Sequence, residues 1–126
     1  MTPPMTVIDS LGWVHYFMNG DLAEAYADYI SKPGNIVTPT VVLYEVFKIL
    51  KSQLGEEAAL GAAAQMTKTN TFPLTGELAY FAANISLEYK LSMADAIIYA
   101  TAQAHQATLV TSDADFKGLP KVDYIS

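Results

Sequence analysis

Five acidic side chains stand where a folded protein rarely puts them, inside or directly after apolar segments. Carboxylates in such surroundings cost several kcal/mol unless something positive compensates them. The chain has no Cys, no Arg and only two His, so the simplest compensator is a divalent cation held by oxygen ligands. The five acids are Asp9, Glu45, Asp95, Asp113 and Asp115.

The chemistry open to such a group is limited. Oxygen ligands without His or Cys favour Mg²⁺ or Mn²⁺ over Zn²⁺. One or two such ions can ionise a water molecule, orient it and stabilise a leaving oxygen, as phosphodiester hydrolysis requires. No nucleophilic side chain is needed. The hydroxyls of Ser10 and Thr111 lie beside the acids in sequence, and we expect them to hydrogen-bond a ligand carboxylate or a water molecule.

The elements that must position these acids alternate between strand and helix. The pattern predicts short strands at 6–9, 35–39, 71–74, 107–111 and 122–125, and helices at 10–19, 22–31, 40–53, 56–69, 76–90 and 93–106. Asp21 is expected to cap the second helix. Such alternation predicts an α/β fold, a three-layer α/β/α sandwich around a central, mostly parallel sheet of about five short strands.

In a parallel sheet, ligands bind at the carboxyl ends of the strands. Asp9 and Asp113 directly follow strands, whereas Glu45 and Asp95 lie near the starts of helices, which meet the sheet at the same edge. The sequence therefore predicts that four acids, far apart along the chain, converge on one cleft.

Each acid also has an ordinary explanation. These are a helix cap for Asp9, an ion pair with Lys48 for Glu45, a capping box with Ser92 for Asp95, and a turn residue for Asp113. Any one of these roles is as common as a functional role. None of them explains why four acids should meet at one edge of the sheet.

Composition sets the remaining bounds. The length predicts a single domain spanning residues 1–126. The net charge of −6 argues against a basic nucleic-acid surface, but without the five acids eight acids remain against seven lysines, a balance of −1. No apolar run approaches the roughly 20 residues that span a bilayer. The first six residues lack the basic segment of a signal peptide, so we expect a cytoplasmic protein.

At these residues the chain resembles a PIN domain, and more narrowly the VapC toxins of bacterial and archaeal toxin–antitoxin pairs. Asp9-Ser10 is similar to the opening motif of the family, and Glu45 to its helical acid. Residues 91–98 match the pattern LSxADAxI, and residues 111–116 match TxDxDF. The resemblance covers nearly the whole length. It implies a Mg²⁺- or Mn²⁺-dependent endoribonuclease that a cognate antitoxin inhibits and that is usually a homodimer.

The resemblance also implies roles for individual residues. Those implied to bind the metal and carry catalysis are Asp9, Glu45, Asp95 and Asp113. Asp115 would be an auxiliary acid. Because the chain has no arginine, Lys48 and Lys117 are the candidates for contacting substrate phosphate.

Other functions and surfaces stay open at this point. A PIN-like fold could instead serve as a non-catalytic module that binds RNA or only its antitoxin. A phosphoryl-transfer domain of the haloacid type would need a second Asp where this chain has Leu11. We expect Trp13, Tyr16 and Tyr44 to be exposed and available to an antitoxin. The alanine-rich segment 56–69 and the face formed by residues 99–104 are candidates for contact with a second copy.

Overall fold

The computed structural model describes residues 4–126. Its strands are β1 (Thr6–Ile8), β2 (Val37–Pro39), β3 (Asn70–Phe72), β4 (Thr108–Thr111) and β5 (Val122–Tyr124). Its helices are α1 (Ser10–Phe17), α2 (Ala23–Ile30), α3 (Thr40–Leu54), α4 (Glu56–Met66), α5 (Gly76–Tyr89) and α6 (Met93–Ala104). Residues 1–3 lie outside the described residues. They include half of the six-residue start on which the prediction about a signal peptide was based. Between residues 4 and 126, no helix has the length and apolar character that crossing a bilayer requires.

All the strand pairs are parallel. β1 pairs with β4, β4 with β5, and β2 with β3. A single parallel bridge between Thr6 and Ile36 joins the two ladders, so the strands lie in the order β3-β2-β1-β4-β5. The order reverses at β1, and in open α/β sheets ligands bind at such a reversal. This architecture, with helices on both sides of the sheet, confirms the predicted fold.

Helix α6 lies over the middle of the sheet, where it contacts β1, β2 and β4. Tyr99, Ala100, Thr101 and Ala102 are consequently buried within the protein's own core. The prediction that the 99–104 face is available to a second copy was therefore wrong for residues 99–102. The prediction of an exposed Trp13 was also wrong, because that side chain is 1% exposed and stacks on Phe17.

Helix ends differ from the predicted bounds for local reasons. Helix α1 ends at Phe17 rather than Asn19, which has a positive φ of 52°. Asp21 does not cap α2, which begins after Leu22 without any side-chain cap. Helix α4 ends at Met66, after which the Thr67 hydroxyl donates to a backbone carbonyl of the last turn.

Gly12 lets α1 and α2 approach closely. A β-carbon at this position would lie 2.4 Å from Cε1 of Tyr26 and 2.9 Å from Cγ2 of Ile8. We expect Gly12→Ala to lower the free energy of unfolding by about 1–3 kcal/mol through overpacking, measured by urea denaturation. The matched control is Gly61→Ala in α4, where nothing lies within 4 Å and alanine should add about 0.5–1 kcal/mol. Equal effects of the two substitutions would contradict this account.

Candidate metal centre

Asp9 directly follows β1, and its backbone and side chain both contact β4. Ile8 is in register with Val110, and the Asp9 N–H donates to the Val110 carbonyl at 3.0 Å. One carboxylate oxygen of Asp9 accepts from the Ser10 N–H at 2.7 Å, and the other accepts from Thr111 Oγ1 at 2.8 Å. The side chain is thus a helix cap, as the ordinary explanation had it, and it is also fixed at the reversal of strand order. Only 4% of the residue is exposed.

Glu45 lies on α3 and is half-buried. Its Oε1 accepts a hydrogen bond of 2.6 Å from Ser10 Oγ, the hydroxyl of the residue that follows Asp9. Glu45 does not pair with Lys48, since the one ion pair found between residues 4 and 126 joins Lys51 to Glu56. The ordinary explanation for Glu45 therefore fails, and the hydrogen bond from Ser10 connects α3 to the end of β1.

The other acids come from the first turn of α6 and from the turn after β4. Ser92 caps α6 by accepting from the Asp95 N–H at 3.4 Å. After β4, the Asp113 N–H donates to Thr111 Oγ1 at 3.0 Å. Asp113 Oδ1 in turn accepts from the Asp115 N–H at 2.9 Å, which folds the chain into a short 3₁₀ turn. The Asp113 side chain thereby fixes the backbone at Asp115.

Three of the acids lie close enough to share one cation. Asp95, Asp113 and Asp115 each offer a carboxylate oxygen, and these oxygens all lie within 4.8 Å of one another. The sequence placed Asp95 and Asp113 in a quartet with Asp9 and Glu45 and gave Asp115 an auxiliary position. The structure groups Asp115 with the candidate ligands. The signal for this was the Asp-x-Asp spacing of residues 113–115, because the first Asp of such a pair often accepts from the N–H two residues on.

The acids also affect one another electrostatically. Burial raises the pKa of Asp9 to about 6, and the negative charges of Asp95 and Asp113 add to that rise against two accepted hydrogen bonds. Burial likewise raises the pKa of Asp95 to about 6. The negative charge of Asp113 is the next largest cause of this rise, and the charges of Asp115 and Glu45 make smaller contributions. All five acids are therefore near enough to share one electrostatic environment.

This donor set fits a hard divalent cation. It consists of carboxylate oxygens only, and within residues 4–126 no lysine or histidine forms an ion pair with any of the five acids. Like charges this close together, beside the buried Asp9 and without a protein cation, are the situation that a bound Mg²⁺ or Mn²⁺ compensates. Asp95, Asp113 and Asp115 could hold such an ion between them, and Asp9 and Glu45 lie outside this group of three.

The sequence matches the model of the PIN domain family over residues 6–122. The chain therefore belongs to the PIN family. No curated protein matches its sequence significantly.

Solved structures show the same fold over nearly the whole chain. One is a toxin–antitoxin complex from Klebsiella pneumoniae, in which the matched chain is 26% identical with a TM-score of 0.79, covering 94% of this chain and 95% of that one. Another is VapC20 of Mycobacterium tuberculosis, a toxin that cleaves the sarcin–ricin loop, at 23% identity, a TM-score of 0.78 and coverage of 96% and 99%. A third is VapBC2 from Rickettsia felis bound to promoter DNA, at 16% identity, a TM-score of 0.73 and coverage of 96% and 97%. These likenesses show that the chain shares its fold with VapC proteins.

Proposed function

We propose that this protein is a Mg²⁺- or Mn²⁺-dependent endoribonuclease that hydrolyses RNA phosphodiester bonds as the toxin of a type II toxin–antitoxin system. The observation that carries the proposal is a group of three carboxylates, from α6 and the turn after β4, whose oxygens lie within 4.8 Å of one another. The charges of Asp95 and Asp113 also act on Asp9, and the charge of Glu45 acts on Asp95. Membership of the PIN family and the likeness in fold to toxin structures support it. The whole chain would act as one domain.

The proposed metal and catalytic residues are Asp9, Glu45, Asp95 and Asp113, and we add Asp115 as a proposed ligand because its carboxylate lies within 4.8 Å of those of Asp95 and Asp113. A bound Mg²⁺ or Mn²⁺ would supply an ionised water as the attacking group and neutralise charge at the phosphate. The chain's own hydroxyls set the positions of two acids. Thr111 orients the carboxylate of Asp9, and Ser10 orients that of Glu45.

Two exposed lysines are the proposed contacts to substrate phosphate. Lys48 lies one turn beyond Glu45 on α3, and its Nζ is 5.6 Å from the centre of the Tyr44 ring. Lys117 follows the turn that carries the acids, and its Nζ is 5.1 Å from the centre of the Tyr124 ring. Each lysine thus lies beside an aromatic ring, a combination that suits single-stranded RNA, whose bases stack while its phosphates attract cations.

The proposed partners are an RNA substrate, a cognate antitoxin and a second copy of the chain, in the cytoplasm. The matched structure from Klebsiella pneumoniae is a toxin–antitoxin complex, and that from Rickettsia felis is VapBC2 bound to promoter DNA. Of the three aromatic residues expected to be available to an antitoxin, Tyr44 is 62% exposed and Tyr16 is half-buried. Tyr44 is therefore the stronger candidate for an antitoxin contact.

The proposal is tested with purified, antitoxin-free protein and a diverse panel of RNAs. We expect cleavage in Mn²⁺, no cleavage in EDTA, and no cleavage by Asp9→Asn, analysed by gel electrophoresis of end-labelled RNA. The matched control is Asp21→Asn, which removes the same charge at an exposed position outside the cluster and should leave cleavage intact. Absence of cleavage across the whole panel would favour the alternative function.

That alternative is a non-catalytic PIN-fold module that binds RNA or an antitoxin. The observation in its favour is the absence of arginine together with the net charge of −6, which leaves few groups to clamp a phosphate. Both functions are compatible with metal binding, so metal binding alone does not separate them. The module would retain RNA on a gel-shift in Mn²⁺ without shortening it.

A further inference from the structure

We propose that Tyr26 is a positioning residue for the metal centre. Its hydroxyl donates a hydrogen bond to Ser112, and this hydrogen bond fixes the turn that carries Asp113 and Asp115. The inference rests on the proposed function, because it assumes that these carboxylates bind Mg²⁺ or Mn²⁺. Tyr26 belongs to α2, a helix that contributes none of the five acids.

The ring of Tyr26 is held on more than one side. It is 0% exposed, and it fills the slot that Gly12 leaves on α1, where a β-carbon would lie 2.4 Å from its Cε1. The His15 ring, one turn further along α1, stacks against it at 6.2 Å between ring centres and 11° between planes. A ring packed in this way has little freedom to move, so its hydroxyl is presented at a fixed point.

The hydroxyl of Tyr26 donates to Ser112 Oγ at 3.1 Å. Burial raises the pKa of Tyr26, so the hydroxyl keeps its proton as a donor throughout the neutral range. The negative charge of Asp9 adds to this rise. The polar end of a buried core residue therefore reaches the rim of the site.

The acidic turn is fixed at two neighbouring positions. Thr111 Oγ1 donates to Asp9 and accepts from the N–H of Asp113, which ties the start of the turn to β1. Ser112, the next residue, is tied to α2 through Tyr26. Without the tyrosine hydroxyl, Ser112 would lose its side-chain hydrogen bond to α2. Ligand geometry depends strongly on groups that orient the ligands without touching the metal.

The test measures the affinity of the apo protein for Mn²⁺ by electron paramagnetic resonance, which counts the free ion. We expect Tyr26→Phe to weaken Mn²⁺ binding by about 10-fold. Ser112→Ala should weaken binding by about the same factor, and the double variant should be no weaker than either single variant, because both remove one interaction. If Tyr26→Phe does not fold, the Ser112→Ala result decides the matter.

The matched control is Tyr29→Phe, the same change on the same helix. The Tyr29 hydroxyl donates to Asp123 on β5, which is none of the five acids, so its loss should leave Mn²⁺ affinity within about twofold of wild type. The inference is overturned if Tyr26→Phe and Ser112→Ala both bind Mn²⁺ as tightly as wild type, or if Tyr29→Phe weakens binding as much. If wild-type protein binds no Mn²⁺, the proposed function fails and the inference fails with it.

Discussion

Millimolar Mn²⁺ is expected to raise the melting temperature of the wild-type protein by roughly 10 °C, and Asp95→Asn is expected to abolish that rise. An ion that binds only the folded state stabilises it by about 2.7 kcal/mol at a concentration 100 times its dissociation constant. Asp95 supplies one of the three carboxylates whose oxygens lie within 4.8 Å, and an amide there removes a charge that the cation needs. Differential scanning fluorimetry with and without Mn²⁺ measures both effects.

The same variant should behave oppositely without metal. Burial and the charge of Asp113 raise the pKa of Asp95 to about 6, so the ionised side chain destabilises the apo protein at neutral pH. Because Asp95 is only half-buried, we expect a gain of about 1 kcal/mol for Asp95→Asn, less than the full shift implies. Asp21→Asn is the control and should keep the full response to Mn²⁺. An unchanged melting curve of the wild type in millimolar Mn²⁺ would refute the metal centre.

The sheet and the convergence of the acids followed from simple rules. Asp9 ends an apolar run and Asp113 follows another, and parallel strands present such residues at one edge. The positions of Glu45 and Asp95 near the starts of helices then placed them at the same edge. Hydrogen bonds from Ser10 and Thr111 to carboxylates were also expected, since both residues adjoin acids or strand ends in the sequence, although each bond joins residues far apart along the chain.

Long-range packing accounts for what the sequence did not reveal. Trp13 was expected on the exposed face of an amphipathic helix. However, α1 contacts α2 and α3 as well as β4, and the Trp13 side chain is buried. Tyr26 and Ser112 are 86 residues apart, and nothing in either local pattern indicates that they meet. The role of Gly12 also depends on Tyr26, because a residue without a side chain leaves the space that this ring on another helix occupies. Such pairings depend on the tertiary structure alone.

Without metal, the free energy of unfolding is expected to fall as the pH rises from about 4 to about 7. The Asp9 pKa is raised from 3.8 to about 6, so the folded state holds that proton more tightly than the unfolded state does. The stabilisation is complete below the unfolded pKa and is lost as the pH rises through the folded one. A shift of this size corresponds to about 3 kcal/mol for the buried Asp9, and Asp95 adds a smaller amount in the same direction.

Urea denaturation in metal-free buffer between about pH 4.5 and about pH 7.5 measures this loss. Comparing wild type with Asp95→Asn isolates the contribution of Asp95 and its coupling to Asp9, because every other titrating group is common to the two proteins. We expect the wild type to lose more stability than the variant over this range, and parallel profiles would contradict the coupling between Asp95 and Asp9. In Mn²⁺ the free energy of unfolding should instead rise with pH, because the cation binds the deprotonated carboxylates and its stabilising effect grows with pH. These acids are expected to destabilise the metal-free protein at neutral pH and to stabilise the metal-bound protein. They are therefore arranged for binding a cation rather than for stabilising the fold.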